Sequence, residues 1–214
     1  IFLSLASYFS ISMFMYIFQR TFMYHPNVKN TDLTPIQFNY KEVIINSEND
    51  IKLKSWFAYE NPNNKTILFF HGNAGELSAR VYKLNKFHEL DLNFLIISWR
   101  GFSGNNGKPT EQGLYKDAAN AVAWLEAKGI NKKDIILYGE SLGTGIAIEL
   151  ATKDQYSGVI LESPYTSMID MGKRFYPFPG FFRIIWNSIF RKITRLGILT
   201  NKSRIYMMNI PDTI

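Results

Sequence analysis

The sequence of 214 residues contains no cysteine, which excludes disulfide bonds, thiolate ligands for metal ions and cysteine nucleophiles. Nucleotide-binding motifs are also missing. The glycine-rich loop at 100–107 is not followed by Lys-Ser/Thr, and no dinucleotide fingerprint occurs. Because 46% of the residues are hydrophobic and 20% are charged, the chain is globular, and its length suits one core rather than two.

Acidic residues are absent from a long C-terminal stretch. Residues 171–210 hold eight Lys or Arg and no Asp or Glu, and the net charge of the whole chain is +6. No helix–turn–helix or base-stacking motif accompanies this excess, so nucleic acid is disfavoured as a partner and an anionic membrane surface is favoured. Phe181–Leu196 predicts a basic amphipathic helix, which would lie on lipid, cover an acyl pocket or pack on the sheet.

Charge is also absent from the N-terminal run Ile1–Phe18, which is followed by Gln-Arg. Its length predicts a single-pass, uncleaved transmembrane anchor over 1–20 and therefore a membrane localisation. A signal peptide would need a basic start and a small-residue cleavage site, and a buried amphipathic helix would need a polar face. A linker over 21–35 and one domain over 36–214 then follow. The side of the membrane and the oligomeric state are left open.

The most informative stretch that is present begins with the apolar run Ile135–Tyr138 and continues as Gly139-Glu140-Ser141-Leu142-Gly143. A small-residue helical pattern follows, so the stretch predicts a strand, a sharp turn and a helix, the context of a nucleophile elbow. The flanking glycines avoid collisions with the neighbouring strand and helix, and the backbone N–H of Leu142 would face a developing oxyanion. The alternative is that Ser141 merely caps the helix.

A second glycine loop, His71-Gly72-Asn73-Ala74-Gly75, follows another apolar run. A tight loop of small residues leaves backbone N–H groups free, and we expect that of Asn73 to be the second oxyanion donor. His71, Gly72 and Gly75 would line the pocket. His71 is a weak candidate for a catalytic base, because it precedes the serine and lies in the loop that shapes the pocket floor, so a hydrogen-bonded structural histidine is favoured.

Strands and helices alternate along the chain, which demands a mostly parallel sheet with right-handed crossovers. Ligands bind such sheets at the carboxyl ends of the strands, where both glycine loops and Ser141 fall. The other predicted strands are Ile36–Asn46, Ile51–Tyr59, Thr66–Phe70, Asn93–Trp99 and Ser157–Leu161, and the predicted crossover helices contain Leu77–Leu90 and Leu114–Leu125.

Four strings, His71–Gly75, Arg100–Gly104, Gly139–Gly143 and Glu162–Ser167, resemble the α/β-hydrolase superfamily. More narrowly, the chain is similar to small membrane-anchored α/β-hydrolase-domain proteins, a branch that includes depalmitoylating thioesterases. The resemblance covers roughly 22–200 and implies the α/β-hydrolase fold.

The same resemblance implies that Ser141 is the nucleophile and that the amides of Asn73 and Leu142 form the oxyanion hole. It implies hydrolysis of an ester, thioester or amide, from a small-molecule or lipid acyl substrate, through an acyl-enzyme and without a metal or cofactor. Glu140 and Glu162 are expected to line the pocket.

The chain departs from the family after the elbow, because no histidine follows Ser141. The tail 202–214 lacks the expected apolar strand ending in a His-Gly-x-x-Asp type of loop, and cap-like helices are expected over about 170–200. We therefore expect a truncated chain, short of roughly two strands and two helices, with impaired hydrolysis. A pseudoenzyme or degraded gene product and a non-catalytic acyl-binding protein are the alternatives. The remaining candidate acids are Glu162, Asp170 and Asp212.

Overall fold

A computed structural model describes residues 2–26, 34–165 and 205–208. Apart from two short 3₁₀ helices, the regular elements in these ranges are helices and strands, which alternate from β3 to β6. The helices are α1 (Phe2–Met23), α2 (Val81–Glu89), α3 (Glu111–Ala127) and α4 (Leu142–Lys153); the strands are β1 (Lys41–Asn46), β2 (Lys52–Ala58), β3 (Thr66–Phe70), β4 (Asn93–Ile97), β5 (Ile135–Glu140), β6 (Gly158–Glu162) and β7 (Ile205–Met208).

All seven strands form one sheet in the order β1-β2-β4-β3-β5-β6-β7. The pairs from β4 to β7 are parallel, whereas β2 runs antiparallel to both β1 and β4. The predicted α/β architecture with a mostly parallel sheet is therefore confirmed. The first strand is shorter than predicted because residues 36–40 do not pair, although the side chain of Phe38 is buried and meets Phe94 edge-on.

The core lies on both faces of the sheet, as the alternation of side chains along a strand requires. In β3, Leu68 and Phe70 face the layer that contains α3 and α4, whereas Phe69 faces the layer that contains α2. β3 and β4 are completely buried, which explains why their sequences are continuous apolar runs rather than alternating ones.

The topology brings the two glycine loops together. β3 pairs with β5 along its whole length, and Phe70, the last residue of β3, lies opposite Gly139. Because the two strands are parallel, the chain leaves both of them at the same edge of the sheet. The loop after β3 and the turn after β5 therefore begin side by side.

The N-terminal helix α1 continues to Met23, three residues beyond the predicted anchor. Within the ranges 2–26, 34–165 and 205–208, no helix is long and apolar enough to cross a membrane, so the structure does not support the transmembrane anchor predicted over 1–20. Four serines and two tyrosines lie among its eighteen residues, and their hydroxyl groups reduce the apolar character of the run.

The tail contains a strand that the sequence did not predict. β7 pairs in parallel with β6, with Ile205 opposite Val159 and Met208 opposite Glu162. The expectation that the tail lacks an apolar strand is therefore wrong, whereas the expectation that it lacks a His-Gly-x-x-Asp type of loop is not contradicted. The run is only four residues long and half of it is methionine, which is not among the residues enriched in strands. The predicted cap-like helices at 170–200 lie outside the described residues.

Candidate active site

Ser141 lies in the sharp turn between β5 and α4, as predicted, with φ +48° and ψ −111°. A positive φ is uncommon for a residue with a side chain, and such strain clusters at functional sites. The backbone N–H of Ser141 donates to the carbonyl of Glu162 at 2.9 Å, and its own carbonyl accepts from the N–H of Thr144 at 2.9 Å. Although Ser141 is the N-cap residue of α4, its side chain makes no capping hydrogen bond. The interpretation of Ser141 as a helix cap is therefore not supported.

Both glycines of the elbow lie where a side chain would collide with neighbouring backbone atoms, as the sequence predicted. A Cβ atom on Gly143 would lie 1.9 Å from the carbonyl oxygen of Phe70 in β3. On Gly139 it would lie 2.6 Å from the carbonyl oxygen of Gly143 in the helix. The elbow thus packs against β3 too closely for any residue but glycine.

The loop after β3 lies directly against the elbow. A Cβ atom on Gly72 would stand 3.6 Å from the Cβ of Ser141, and Gly75 turns the chain with a φ of +79°. Among the described residues, neither the N–H of Asn73 nor that of Leu142 has a hydrogen-bond acceptor. This arrangement is compatible with the predicted oxyanion hole, although the roles of Asn73 and Leu142 remain predictions.

Asn73 is also fastened to the end of α1, which the sequence did not predict. Its side-chain amide donates to the carbonyl of Met23 at 2.8 Å, and its carbonyl accepts from the N–H of His25 at 2.9 Å. His25 further forms an isolated parallel bridge with Ala74. The N-terminal segment therefore holds the loop in which the predicted oxyanion donor lies.

His71 is completely buried, as a structural histidine would be, and no hydrogen-bond partner of its Nε2 lies in the described part of the chain, so its structural role stays a prediction. Its Nδ1 lies 2.8 Å from the carbonyl of Gly72, and its ring is 5.6 Å from the rings of both Trp99 and Phe102. Burial and the nearby charge of Arg80 lower the pKa of the imidazole to about 3. No described hydrogen bond joins His71, His25 or His88 to Ser141.

Glu140 and Glu162 belong to a buried network that we call the elbow cluster: Arg80, Lys83, Glu140 and Glu162. Arg80 Nη2 lies 2.7 Å from Glu140 Oε1, while Lys83 Nζ lies 2.7 Å from Glu140 Oε2 and 2.5 Å from Glu162 Oε2. Arg80 Nη1 also donates to the carbonyl of Ala74 at 2.9 Å. Arg80 therefore joins the residue before Ser141 to the loop after β3.

The charges of the elbow cluster stabilise one another. Burial alone would raise the pKa of Glu140, but the charges of Arg80 and Lys83 outweigh it and lower the value to about 2. Burial would lower the pKa of the Lys83 ammonium, yet Glu140 and Glu162 raise it. Neither cation was predicted from the sequence, although Arg80 and Lys83 lie three residues apart, the spacing of neighbours on one face of a helix.

Glu162 is engaged in this cluster and does not orient a histidine in the described part of the chain. Its carboxylate accepts from Lys83 and from the hydroxyl of Tyr138. The other two candidate acids, Asp170 and Asp212, lie outside the described residues. Of the predicted pocket residues, the structure thus brings Gly72, Glu140 and Glu162 close to Ser141, and the backbone carbonyl of Glu162 accepts from the Ser141 N–H.

Comparison with known proteins identifies related chains. The model of the family "Serine aminopeptidase, S33" matches residues 61–208. The protein bem46 of Schizosaccharomyces pombe is 34% identical over 206 residues, which cover 87% of this chain and 69% of that protein. A Saccharomyces cerevisiae protein named "uncharacterized membrane protein" is 29% identical to this chain. The alignment covers 82% of this chain and 63% of the yeast protein. Across the curated relatives it matches, the chain spans from about a third to two thirds of their length.

Solved structures agree with this relationship. An α/β hydrolase from Vibrio vulnificus superposes with a TM-score of 0.68 at 25% identity, over 79% of this chain and 63% of that one. The Pyrococcus furiosus esterase Pf2001 superposes with a TM-score of 0.65, over 88% of this chain and 90% of its own; its identity of 20% supports the fold alone. Since the family model covers more than half of the sequence, this chain belongs to the serine aminopeptidase S33 family of α/β hydrolases.

Proposed function

We propose that the protein is a serine hydrolase that cleaves an ester, thioester or amide through an acyl-enzyme on Ser141. The observation that carries this proposal is the backbone of Ser141. A non-glycine residue with φ +48° occupies a strand–helix turn, and its hydroxyl is not used to cap the helix. The energetic cost of such a conformation is about 1–3 kcal/mol, and it is explained if the turn presents the hydroxyl to a substrate.

The chemistry follows from this placement. The Ser141 oxygen attacks the carbonyl carbon of the substrate, and the N–H groups of Asn73 and Leu142 stabilise the oxyanion that forms. The leaving group departs with the proton that the hydroxyl gives up, and water then releases the acid from the acyl-enzyme. A base must accept the serine proton, because a hydroxyl is a weak nucleophile at neutral pH.

A fluorophosphonate probe tests the proposal on the 214-residue chain. We expect an adduct on Ser141, absent from Ser141→Ala, that forms slowly, because none of the three histidines contacts Ser141 in the described residues. Loss of one triad member costs about 10⁴–10⁶ in rate, so labelling should be that much slower than in a hydrolase with a complete triad. Rapid labelling would instead show that the chain supplies a base, and His71→Gln would test the nearest histidine.

Two other serines with a positive φ provide matched controls. Ser103 and Ser163 both have a φ of +50°, but neither lies in a Gly-x-Ser-x-Gly elbow. Mass spectrometry of the labelled chain should locate the adduct on Ser141 and on neither control. No adduct on Ser141 even at high probe concentration would contradict the proposal and favour a pseudoenzyme or an acyl-binding protein.

We also propose that α1 associates with a membrane surface. Six large apolar side chains of α1 are more than two fifths exposed, and this helix contains no acidic residue: Phe9, Ile11, Met13, Phe14, Ile17 and Phe18. An exposed apolar surface of this kind is favourable at the boundary between head groups and acyl chains. Sedimentation with anionic liposomes tests the proposal: Phe14→Asp/Ile17→Asp should stay in the supernatant, whereas wild-type protein should sediment.

A further inference from the structure

A cavity of about 520 Å³, broadly open to solvent, lies at the C-terminal end of α1, and Ser141 is not among its lining residues. One wall is formed by residues at the end of α1, including Tyr24 and His25, and another by Lys108 and Pro109 from the glycine-rich loop after β4. A volume of this size is within the range of small-molecule sites, about 300–1,000 Å³. The cavity is therefore large enough for a ligand rather than for a few water molecules.

The charge of the cavity has one sign. Arg20 and Lys108 line it, and none of its described lining residues is acidic. Glu111, which acts electrostatically on Tyr24, accepts a hydrogen bond from Tyr115 at 2.8 Å and does not line the cavity. An anionic group that enters would meet a guanidinium and an ammonium without a competing carboxylate on the cavity wall.

The cavity also offers apolar surface. The proline rings of Pro26 and Pro109 and the largely buried side chain of Tyr24 lie beside the cations. The helix that ends at this cavity exposes Phe14, Ile17 and Phe18 along its preceding turns. A ligand with an anionic group and an apolar chain matches both parts of this surface.

The N-terminal segment that forms one cavity wall is connected to the candidate active site by two hydrogen bonds, one of them from the wall residue His25. His25 in the wall donates from its backbone to the carbonyl of Asn73, and the Asn73 side chain donates to Met23. Asn73 follows Gly72, whose backbone lies against Ser141. A ligand in the cavity would therefore contact the segment that holds the predicted oxyanion donor.

We propose that this cavity binds the anionic head group of an amphiphilic acyl compound, and that such compounds are the substrate class of the Ser141 site. This inference rests on the proposed hydrolase function for its second half. Arg20 and Lys108 bind the anion, Pro26 and Pro109 contact the adjoining methylene groups, and the hydrogen bonds between Asn73 and the end of α1 join the segment that binds the head group to the oxyanion loop.

Calorimetric titration of the full chain with dodecyl phosphate, kept below its micellar concentration, tests the binding half. We expect dodecyl phosphate to bind more tightly than either dodecyl maltoside, which lacks the charge, or inorganic phosphate, which lacks the chain. The variant Arg20→Gln/Lys108→Gln should weaken binding about tenfold or more, since hydrogen bonds to charged groups are lost. The control Lys133→Gln removes an exposed cation that does not line the cavity, and it should bind like wild type.

Equal binding of dodecyl phosphate to wild type and to the double variant would overturn the inference. So would equal affinity for dodecyl maltoside, because the charge would then play no part. If inorganic phosphate binds as tightly as dodecyl phosphate, the cavity binds a small anion, and the proposal of an amphiphilic ligand is wrong.

Protection of Ser141 separates the two proposals. Dodecyl phosphate should slow fluorophosphonate labelling of Ser141 in wild type and not in the double variant, which would place the head-group site and the nucleophile in one substrate site. Labelling of Ser141 without any protection overturns the assignment of the substrate class while the hydrolase proposal stands. Charge-dependent binding without any labelling overturns the hydrolase proposal and leaves an anion site.

Discussion

Two clusters of four charges lie at the carboxyl edge of the sheet, and they differ in how deeply the charges are buried. In the elbow cluster, all four side chains are between 5 and 17% exposed. The second cluster, which we call the hairpin cluster, consists of Arg100, Asp117, Glu48 and Lys116. It grades outward, from Asp117 at 0% and Arg100 at 6% to Glu48 at 31% and Lys116 at 55%.

The two clusters contain the same number of charges but connect different segments of the chain. Arg100 donates to Asp117 from Nε at 2.9 Å and from Nη2 at 2.6 Å, and Ser47 of the β1–β2 turn also donates to Asp117. The hairpin cluster thus fastens a strand connection to α3. The elbow cluster instead connects the turn that holds Ser141 with the loop after β3. Ion pairs can position such loops while leaving backbone N–H groups free for a substrate.

The largest effect is expected from Asp117→Ala in the hairpin cluster. The substitution leaves the buried guanidinium of Arg100 without its main partner, and breaking a buried ion pair in this way costs about 3–5 kcal/mol of unfolding free energy. Urea denaturation followed by circular dichroism measures the loss. The fluorophosphonate labelling rate of the folded fraction should stay near that of wild type, because the hairpin cluster does not contact the elbow.

A loss of less than about 1 kcal/mol for Asp117→Ala would contradict this account of the buried pair. It would mean that Arg100 finds water or Glu48, whose carboxylate lies 3.6 Å from its Nη1. The double variant Glu48→Gln/Asp117→Ala measures that compensation directly.

Glu140→Gln should have the next largest effect. It should lower both the unfolding free energy and the labelling rate of Ser141. Lys83 keeps Glu162 and Arg80 keeps the carbonyl of Ala74, so we expect a loss of about 2–3 kcal/mol in unfolding free energy, typical of hydrogen bonds to charged groups. Labelling of Ser141 should slow about tenfold, because the loop after β3 is no longer fixed to the elbow.

Glu89→Gln is the matched control for that substitution. Glu89 pairs with Lys86 on the exposed side of α2, where both side chains are about half exposed or more. It should change neither the stability nor the labelling rate measurably. If Glu140→Gln lowers stability but leaves labelling unchanged, the elbow cluster is structural and does not position the site.

The pH dependence of the Glu140→Gln difference sharpens the comparison further. The pKa of Glu140 falls from 4.5 to about 2 in the folded chain. The carboxylate therefore contributes its full stability above pH 4.5, and this contribution is lost as the pH falls toward 2, because the unfolded chain binds the proton first. Urea denaturation at pH 6, 4 and 2.5 should show the two proteins converging. A difference in unfolding free energy between wild type and Glu140→Gln that stays constant over this pH range would contradict the prediction.

The sequence predicted a strand or helix well when its hydrophobic pattern was long and poorly when the pattern was short. β3 and β4 are buried on both faces, so their apolar runs predicted them well, and the stripe through Leu114 and Leu125 predicted α3. β7 was missed because four residues carry too little pattern. The anchor was inferred from the length of the run and its lack of charge, although that stretch also contains hydroxyl groups.

The sequence predicted those parts of the candidate site in which the backbone geometry tolerates only one type of residue. Gly139 and Gly143 could be interpreted from the sequence because a side chain at either position would collide. The partners of Glu140 could not, because Arg80 precedes it by 60 residues and only the folded topology brings the two together. The hydrogen bonds between Asn73 and the end of α1 were missed for the same reason, since they join a loop to a segment about 50 residues away.

The smallest effect is expected from Lys116→Gln, at the outer end of the hairpin cluster. The ammonium of Lys116 pairs with Glu48, and both side chains are reached by water. The Lys116 pair lowers the pKa of the Glu48 carboxylate through its hydrogen bond, but a pair exposed to this degree is screened by solvent and salt and loses side-chain entropy when it forms. We expect the urea midpoint of Lys116→Gln to match wild type at both low and high salt. A midpoint that falls as far as in Asp117→Ala would show that the hairpin cluster acts as one cooperative unit, and that depth of burial does not decide what each charge contributes.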